Sequence, residues 1–322
     1  MEDSSVPHGN TELCVFRYVS GLTRTVVGID GSSVRTDGTR LTILQTLWEG
    51  DDSGMTFSEL RTAAEERESS GFNYHLGKLV GRFVTKEEEE GTYRLTQAGK
   101  HVCGAIASGI YTARGTLDPV ELNDRCETSG DRLRIEYESE TIRIGCDSCS
   151  SCPSGWNVPA PPSVFSGYDH DAIPAVVDRY IRTISRHAIN GFCPYCNGRM
   201  QPTVRLSDPP NTASTSATES EDTSHSRGEP VVSFECQRCG ADAGLALDHA
   251  LLLANPTVAN FYYEHAIVVR ERPVWRFSEL SPERVTIVNR TPLRVDVTFR
   301  VDTSSLTVHV DETFGVSCSD GC

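Results

Sequence analysis

Residues 69–81 read SSGFNYHLGKLVG and hold the clearest helical pattern of this 322-residue chain. Phe72, Leu76, Leu79 and Val80 follow one another at positions i, i+4, i+7 and i+8. That spacing places four apolar side chains on one face of an α-helix. Either of the two serines at the start can cap this helix. The sequence therefore predicts an amphipathic helix whose other face is polar.

The segments on either side of this helix predict further elements in a fixed order. Residues 41–48 carry leucine and tryptophan at helical spacing and predict a first helix. Thr56 and Glu59 match a capping box, in which each side chain bonds the backbone N–H of the other residue, so a second short helix is expected there. Residues 83–95 predict a β-hairpin with an acidic tip, and residues 96–108 predict a last helix.

Three helices, a hairpin and a closing helix form the order of a winged helix-turn-helix domain, which we place at residues 35–112. The extension before it, residues 1–34, contains two possible short strands at 14–19 and 25–29 but no motif, so it receives no function. The first domain is therefore expected to bind DNA.

Polar side chains on and after the helix of residues 69–81 are the candidates for this contact. The outward face of a recognition helix lies in the major groove, while its other face packs on the preceding helices. Asparagine can bond adenine with two hydrogen bonds, whereas lysine and tyrosine are better suited to phosphate. The acidic hairpin tip would repel phosphate, so the hairpin is expected to contact DNA from its base. The candidates are Ser70, Asn73, Tyr74, His75, Lys78, Arg82, Lys86 and Arg94. For His75, packing in the core and a phosphate hydrogen bond are both open.

The charge of the chain is unevenly distributed. It has 30 basic and 45 acidic residues, a formal net charge of −15, and lysine only at positions 78, 86 and 100. Such an acidic surface is typical of halophilic proteins, because concentrated salt screens self-repulsion, and by itself it argues against a nucleic-acid partner. Residues 69–86, however, contain three basic residues and no acidic one. Phosphate contact explains this segment, and chance is the alternative.

Four stretches of this region resemble one known family. They are residues 38–44 (GTRLTIL), 56–60 (TFSEL), 71–81 (GFNYHLGKLVG) and 93–99 (YRLTQAG). All four are similar to the ArsR-like winged helix-turn-helix transcriptional regulators of halophilic archaea. The resemblance implies transcription regulation through double-stranded DNA, with Cys-x-x-Cys modules following the DNA-binding domain. It covers most of the chain from about residue 36, and we expect a homodimer.

Two Cys-x-x-Cys pairs, Cys193 with Cys196 and Cys236 with Cys239, have the ligand spacing of a zinc ribbon. Such pairs in an intracellular chain are more often metal ligands than disulfides. The gap between them is long because residues 207–229 are almost all polar, which is typical of a disordered insertion. We place a helix and a ribbon with one structural Zn²⁺ at residues 165–245; reduced structural thiols or a redox pair are the alternatives.

A second cysteine module, at residues 118–160, is incomplete. Cys126, Cys146 and Cys149 are its candidate ligands, but Ser129 stands three residues after Cys126, where the pattern of the resembling family has a second cysteine. Cys152 can supply a fourth ligand, or the module can hold together without metal. An open three-ligand site can also be catalytic, but no positioned general base accompanies it.

Residues 246–322 predict a C-terminal region with a helix after Pro256 and an antiparallel sheet. The whole chain is thus expected to be a multidomain α+β protein with a winged helix-turn-helix, two zinc-ribbon-like modules and this region. No apolar run is long enough for a membrane span, and residues 1–5 lack the features of a signal peptide, so a cytoplasmic protein is expected.

Two hypotheses of function remain. The first is a DNA-binding transcriptional regulator with a structural zinc ribbon. The second is an interaction protein that docks on the transcription machinery, with DNA contact secondary. We expect no enzyme, because the chain has no phosphate loop, nucleophile elbow or dinucleotide fingerprint.

Overall fold

The computed structural model describes residues 38–51, 53–108, 116–149, 152, 155–207 and 228–318. The N-terminal segment with its two expected strands, and most of the polar insertion at 207–229, lie outside these residues. The chain divides into two compact units: residues 1–114 with 161–163, and residues 115–160 with 164–322. Both units are mixed α/β structures with antiparallel sheets.

Within its described residues, the first unit contains four helices and three short strands. The helices are α1 (Gly38–Glu49), α2 (Phe57–Ala63), α3 (Ser69–Leu79) and α4 (Gln97–Ala107). The strands are β1 (Met55–Thr56), β2 (Val84–Lys86) and β3 (Thr92–Leu95). The predicted order of helices and hairpin is therefore confirmed. The sequence missed β1, which pairs antiparallel with β3 at the edge of the hairpin, because two residues are too short to show alternation.

Helix boundaries in this unit both confirm and correct the sequence prediction. The capping box is confirmed, with the Thr56 hydroxyl and the Glu59 carboxylate each accepting the N–H of the other residue. The predicted serine cap of α3 is wrong: Glu68 occupies the N-cap without a side-chain bond, and the Ser70 hydroxyl donates to its carboxylate at 3.0 Å. Val80 is not part of the buried face, because α3 ends at Leu79 and leaves Val80 38% exposed.

The core of the first unit joins all four helices to the hairpin. Phe72, Leu76 and Leu79 of α3 are each 1% exposed, as the sequence predicted. They belong to one cluster with apolar residues of the other helices and strands: Ile43, Leu44, Leu47, Leu60, Ala64, Val84, Tyr93 and Cys103. This packing fixes α3 by its apolar face and leaves its polar face outward.

A close approach between α4 and the hairpin gives a first testable prediction. A Cβ added to Gly99 would lie only 2.2 Å from the Phe83 carbonyl oxygen. We expect Gly99→Ala to destabilise the unit by about 1–3 kcal/mol, because the backbone must shift to relieve this overlap. Gly104 lies on the same helix with no atom within 4 Å of such a Cβ. Gly104→Ala should therefore stabilise the helix by about 0.5–1 kcal/mol.

Urea unfolding of the two variants measures this difference. Equal shifts of the two midpoints would contradict the proposed overlap.

The described part of the second unit contains three antiparallel sheets and three α-helices. The first sheet has the order β4-β5-β6-β7 and the second β10-β9-β8, while the third has the order β11-β12-β13-β14. The strands of the first two sheets are β4 (Leu117–Arg125), β5 (Arg132–Glu138), β6 (Thr141–Gly145), β7 (Trp156–Pro159), β8 (Met200–Leu206), β9 (Pro230–Cys236) and β10 (Asp242–Ala246). Those of the third are β11 (Arg284–Arg290), β12 (Leu293–Val301), β13 (Ser304–Asp311) and β14 (Val316–Cys318). The helices are α5 (Ile173–Ile189), α6 (Leu247–Ala254) and α7 (Pro256–Glu264).

One hydrophobic core runs through this unit from Val120 to Val310. It includes side chains from both cysteine-containing sheets, from α5 and from the C-terminal sheet. The expected proline at the start of a C-terminal helix is confirmed at Pro256, where the Asn255 side chain caps α7. Among the residues that the structure describes, no helix has both the length and the apolar character that a membrane crossing requires.

A mostly buried ion pair lies on α5, with 18% of the Asp178 side chain exposed. Arg182 on α5 is only 7% exposed, and its Nε donates to both carboxylate oxygens of Asp178 at 3.0 and 2.9 Å. Asp178 also accepts the Val274 N–H at 2.8 Å, while the Arg182 guanidinium donates to the Arg272 carbonyl and lies 5.2 Å from the centre of the Phe277 ring. The pair therefore joins α5 to the segment 272–277.

Candidate metal centres and nucleic-acid interface

The four sulfur atoms of Cys193, Cys196, Cys236 and Cys239 lie within 4.8 Å of one another. The distance between the Cys193 and Cys239 Sγ atoms is 3.7 Å, and that between the Cys196 and Cys236 Sγ atoms is 3.5 Å. A zinc ion with Zn–S bonds of about 2.3 Å holds its four thiolates roughly 3.8 Å apart, whereas a disulfide bond measures about 2.05 Å. The arrangement therefore fits a tetrahedral ion, and all four residues predicted as ligands come together.

Two tight turns hold these four sulfurs. The Cys193 N–H donates to the Gly198 carbonyl at 2.8 Å, and the Cys236 N–H donates to the Ala241 carbonyl at 2.8 Å. Further backbone N–H groups point at sulfur, from Gly198 to Cys196 at 3.4 Å and from Cys239 to Cys236 at 3.5 Å. Such N–H groups stabilise thiolate over thiol. The turns are therefore shaped to hold ionised sulfur.

The acidity of the Cys236 thiol shows the effect of these turns. Burial disfavours its ionised form, but the N–H groups of Cys239 and Arg238, together with the thiols of Cys196 and Cys239, outweigh burial and lower the pKa of Cys236 to about 6. Burial and the neighbouring thiols raise the pKa of Cys239 to about 12. Four thiolates therefore need a cation among them, and a dication such as Zn²⁺ supplies that charge.

The second cysteine cluster has three sulfurs in a comparable group. The Sγ atoms of Cys126, Cys146 and Cys149 lie within 4.8 Å of one another, with 3.6 Å between Cys126 and Cys149. The Ser129 hydroxyl donates to the Cys146 sulfur at 3.4 Å, in the place where the sequence pattern lacks a cysteine. The Cys152 sulfur lies 3.5 Å from that of Cys126. The structure thus brings the three predicted ligands together and adds Cys152 beside them.

The polar face of α3 carries the residues predicted to contact DNA. Asn73, Tyr74 and Lys78 are exposed, Tyr74 by 58%. The Lys78 ammonium lies 5.3 Å from the centre of the Tyr74 ring, within the range of a cation–π interaction. The two side chains therefore lie on the same surface of the helix. Ser70 is exposed at the start of the helix, bonded to Glu68.

Two further basic residues extend this face beyond the helix. Arg82 and Lys86 are exposed in the turn after α3 and at the end of β2. The Lys86 ammonium lies 5.7 Å from the centre of the Tyr93 ring. Sequence reasoning did not single out Tyr93, although an aromatic residue in a hairpin strand opposite a lysine was a usable signal.

His75 has an unusual position beside this face. It is half-buried, and its ring lies edge-on to Tyr74 with 5.4 Å between the ring centres. Within the described part of the chain its Nδ1 atom is buried and has no hydrogen-bond partner. The structure therefore supports partial packing, and a phosphate contact by His75 stays a prediction.

Arg94 is engaged within the protein. Its Nε donates to the Ser53 carbonyl at 2.9 Å, and its Nη2 donates to Glu90 at 3.0 Å. These bonds join β3 to the loop before β1 and to the acidic hairpin tip. A phosphate would have to compete with both partners, so Arg94 is the weakest of the candidate DNA contacts.

Comparisons with known proteins give families but no activity. A family model described as domain of unknown function DUF7351 matches residues 123–316, and one described as domain of unknown function DUF7347 matches residues 33–106. The first match spans more than half of the 322 residues, so the chain belongs to that family. No curated protein and no solved structure matches the chain.

Proposed function

We propose that this chain, a member of the DUF7351 family, is a DNA-binding transcriptional regulator whose first unit is a winged helix-turn-helix domain. The observation that carries the proposal is the surface formed by Asn73, Tyr74, Lys78, Arg82 and Lys86, which we call the α3 surface. All five side chains are exposed, while the apolar side of α3 is buried in the core. A rigid helix with a polar outward face is the element that helix-turn-helix domains place in the major groove.

Charge supports the same assignment. The segment 69–86 has three basic residues and no acidic residue in a chain of net charge −15. Each lysine or arginine that meets a phosphate releases condensed counterions, and this gain is what draws a protein to DNA. Concentrated salt reduces the gain, so the hydrogen bonds of Asn73 to a base must carry a larger share of the affinity.

The metal sites have a supporting part in this proposal. We propose that Cys193, Cys196, Cys236 and Cys239 hold one Zn²⁺ that stabilises a zinc ribbon in the second unit. The ion holds together two turns and the strands β8, β9 and β10. None of its four ligands is a candidate DNA contact. DNA binding and zinc binding are therefore separate properties that separate experiments can measure.

Selection of DNA from a random double-stranded library with the full chain tests the function. We expect enrichment of a defined sequence, and Asn73→Ala should weaken binding to it by about tenfold or more, since a good two-bond base contact contributes about 1–3 kcal/mol of discrimination. Lys78→Ala should weaken binding to all sequences and reduce the slope of log K against log salt by about 0.9.

The third lysine of the chain provides a matched control. Lys100 is exposed on α4, outside the α3 surface, so Lys100→Ala should leave both affinity and salt slope unchanged. Failure to enrich any sequence above background, or equal behaviour of the Lys78 and Lys100 variants, would overturn the proposal.

A second candidate function rests on exposed aromatic residues at the zinc turns. Phe192 and Tyr195, beside and within the Cys193 turn, are 57% and 64% exposed. Aromatic side chains are enriched where proteins meet other proteins. We propose as the alternative that this turn docks on the transcription machinery. Retention of RNA polymerase by the nuclease-treated full chain, lost in Phe192→Ser/Tyr195→Ser, would favour it.

A further inference from the structure

The two cysteine clusters are built from the same turn. Three of their four turns share two backbone hydrogen bonds, all at 2.8–2.9 Å. The N–H of the first cysteine donates to the carbonyl five residues later, and the carbonyl of that cysteine accepts the N–H of the residue four positions later. The residue four positions later has a positive φ each time: Gly130 at 76°, Asn197 at 55° and Gly240 at 73°. The Cys126 turn therefore keeps the form of a metal-binding turn, although its second cysteine is Ser129.

The strands that enclose these turns also correspond. The residue before the first cysteine pairs with the residue six positions after that cysteine, as in Arg125 with Arg132, Phe192 with Arg199 and Glu235 with Asp242. The sulfur contacts follow the same plan. Cys126 meets Cys149 at 3.6 Å as Cys193 meets Cys239 at 3.7 Å.

The remaining contact shows which ligand is missing. In the complete cluster the sulfurs of Cys196 and Cys236 lie 3.5 Å apart. At the matching place in the other cluster, the Ser129 hydroxyl lies 3.4 Å from the Cys146 sulfur. The Ser129 hydroxyl therefore takes the position that the Cys196 sulfur has in the complete cluster.

The opposite turn of this incomplete cluster is longer than its counterpart. Phe234 and Ala243 pair across the Cys236 turn and enclose eight residues, whereas Ile144 and Trp156 pair across the Cys146 turn and enclose eleven. The longer turn contains Cys152, which is 6% exposed and has its sulfur 3.5 Å from that of Cys126. Compared with the complete cluster, one turn has one thiol fewer and the turn facing it has one more.

We propose that the Cys126 cluster is a second zinc site whose fourth ligand is Cys152, supplied by the longer turn in place of the thiol missing at Ser129. The Cys152 sulfur contacts that of Cys126 but is not one of the three sulfurs that lie within 4.8 Å of one another, so zinc binding requires the Cys152 side chain to move towards the other thiols and displace the Ser129 hydroxyl. Zn²⁺ strongly prefers four thiolates to three thiolates and a neutral hydroxyl in such structural sites. The proposal goes beyond DNA binding and does not depend on it.

Metal counting on the purified full chain, with zinc as the probe, tests this proposal. We expect about two zinc ions per chain. In competition with a chromophoric chelator, Cys152→Ala should bind one of its ions at least tenfold more weakly than the unaltered chain does, because it loses a ligand. Ser129→Ala should leave both affinities unchanged, since the proposal gives the hydroxyl no bond to the ion.

A compensating variant makes the test specific. Ser129→Cys combined with Cys152→Ala restores four thiols in the arrangement of the complete cluster, so it should recover the second tightly bound ion. The ion at Cys193 stays bound in every variant and reports that the unit is folded. One ion in the unaltered chain, or a loss of zinc in Ser129→Ala but not in Cys152→Ala, would overturn the proposal. Cobalt spectra of the loaded chains give the number of thiolates at each site independently.

Discussion

Cys193→Ser is expected to remove one zinc ion per chain and to destabilise the second unit more than any other single change considered. Cys193 is fully buried and joins a turn after α5 to a turn between β9 and β10. Zinc binding to small zinc-dependent domains is worth about 10–16 kcal/mol near neutral pH, and much of that free energy is folding free energy. The variant should lose a large part of it, because three thiolates and a neutral hydroxyl hold the ion more weakly than four thiolates do.

Thermal unfolding and limited proteolysis measure this loss. A chelator should lower the Tm of the unaltered chain in the same way, and added zinc should restore the unaltered chain but not the variant. Cys103→Ser is the control, because this buried thiol belongs to the first unit and to neither cluster. If Cys193→Ser kept its metal content and its Tm, the structural role of zinc in this unit would be excluded.

The second large effect is expected at the buried ion pair. Asp178→Ala leaves the guanidinium of Arg182 in the core without its carboxylate and the Val274 N–H without its acceptor. Removing one partner of a buried pair costs about 3–5 kcal/mol, because the remaining charge is not compensated. We expect a corresponding fall in the urea midpoint of the second unit with an unchanged m-value.

An exposed ion pair on the same unit supplies the comparison. Arg300 and Glu283 form a pair whose side chains are 50% and 41% exposed. Glu283→Ala should cost less than about 1 kcal/mol, because water screens both charges. Equal losses of unfolding free energy in Asp178→Ala and Glu283→Ala would contradict the expectation that the Asp178–Arg182 pair is shielded from water.

DNA binding by the first unit and metal binding by the second can be measured separately, so the two proposals can be tested independently. Substitutions on the α3 surface should change DNA binding without changing metal content. Substitutions of the ligand cysteines in either cluster should change metal content and the stability of the second unit. A variant that altered both would connect the units functionally, and Cys193→Ser tested for DNA binding with zinc present measures that connection.

Local patterns predicted the helices of the first unit well because each carries its own signal. The apolar spacing of Phe72, Leu76 and Leu79 and the capping box at Thr56 depend only on residues within one or two turns. The errors concern the two ends of α3, where residues outside the apolar pattern determine the helix boundary. Glu68 replaced a serine as the N-cap of α3, and Val80 left the buried face because the helix ended one residue earlier.

The sequence alone determined which cysteines can act together, because the spacing Cys-x-x-Cys forces two sulfurs onto one tight turn. It could not determine which turns face each other, since this depends on the pairing of strands that are distant in the chain. Only the tertiary structure placed the Ser129 hydroxyl at a thiol's corner and brought Cys152 next to Cys126. The register of β6 against β7 sets the length of that turn and pairs Ile144 with Trp156, two residues of the shared core. A buried face specifies such a register strongly, and that burial exists only once the core is assembled.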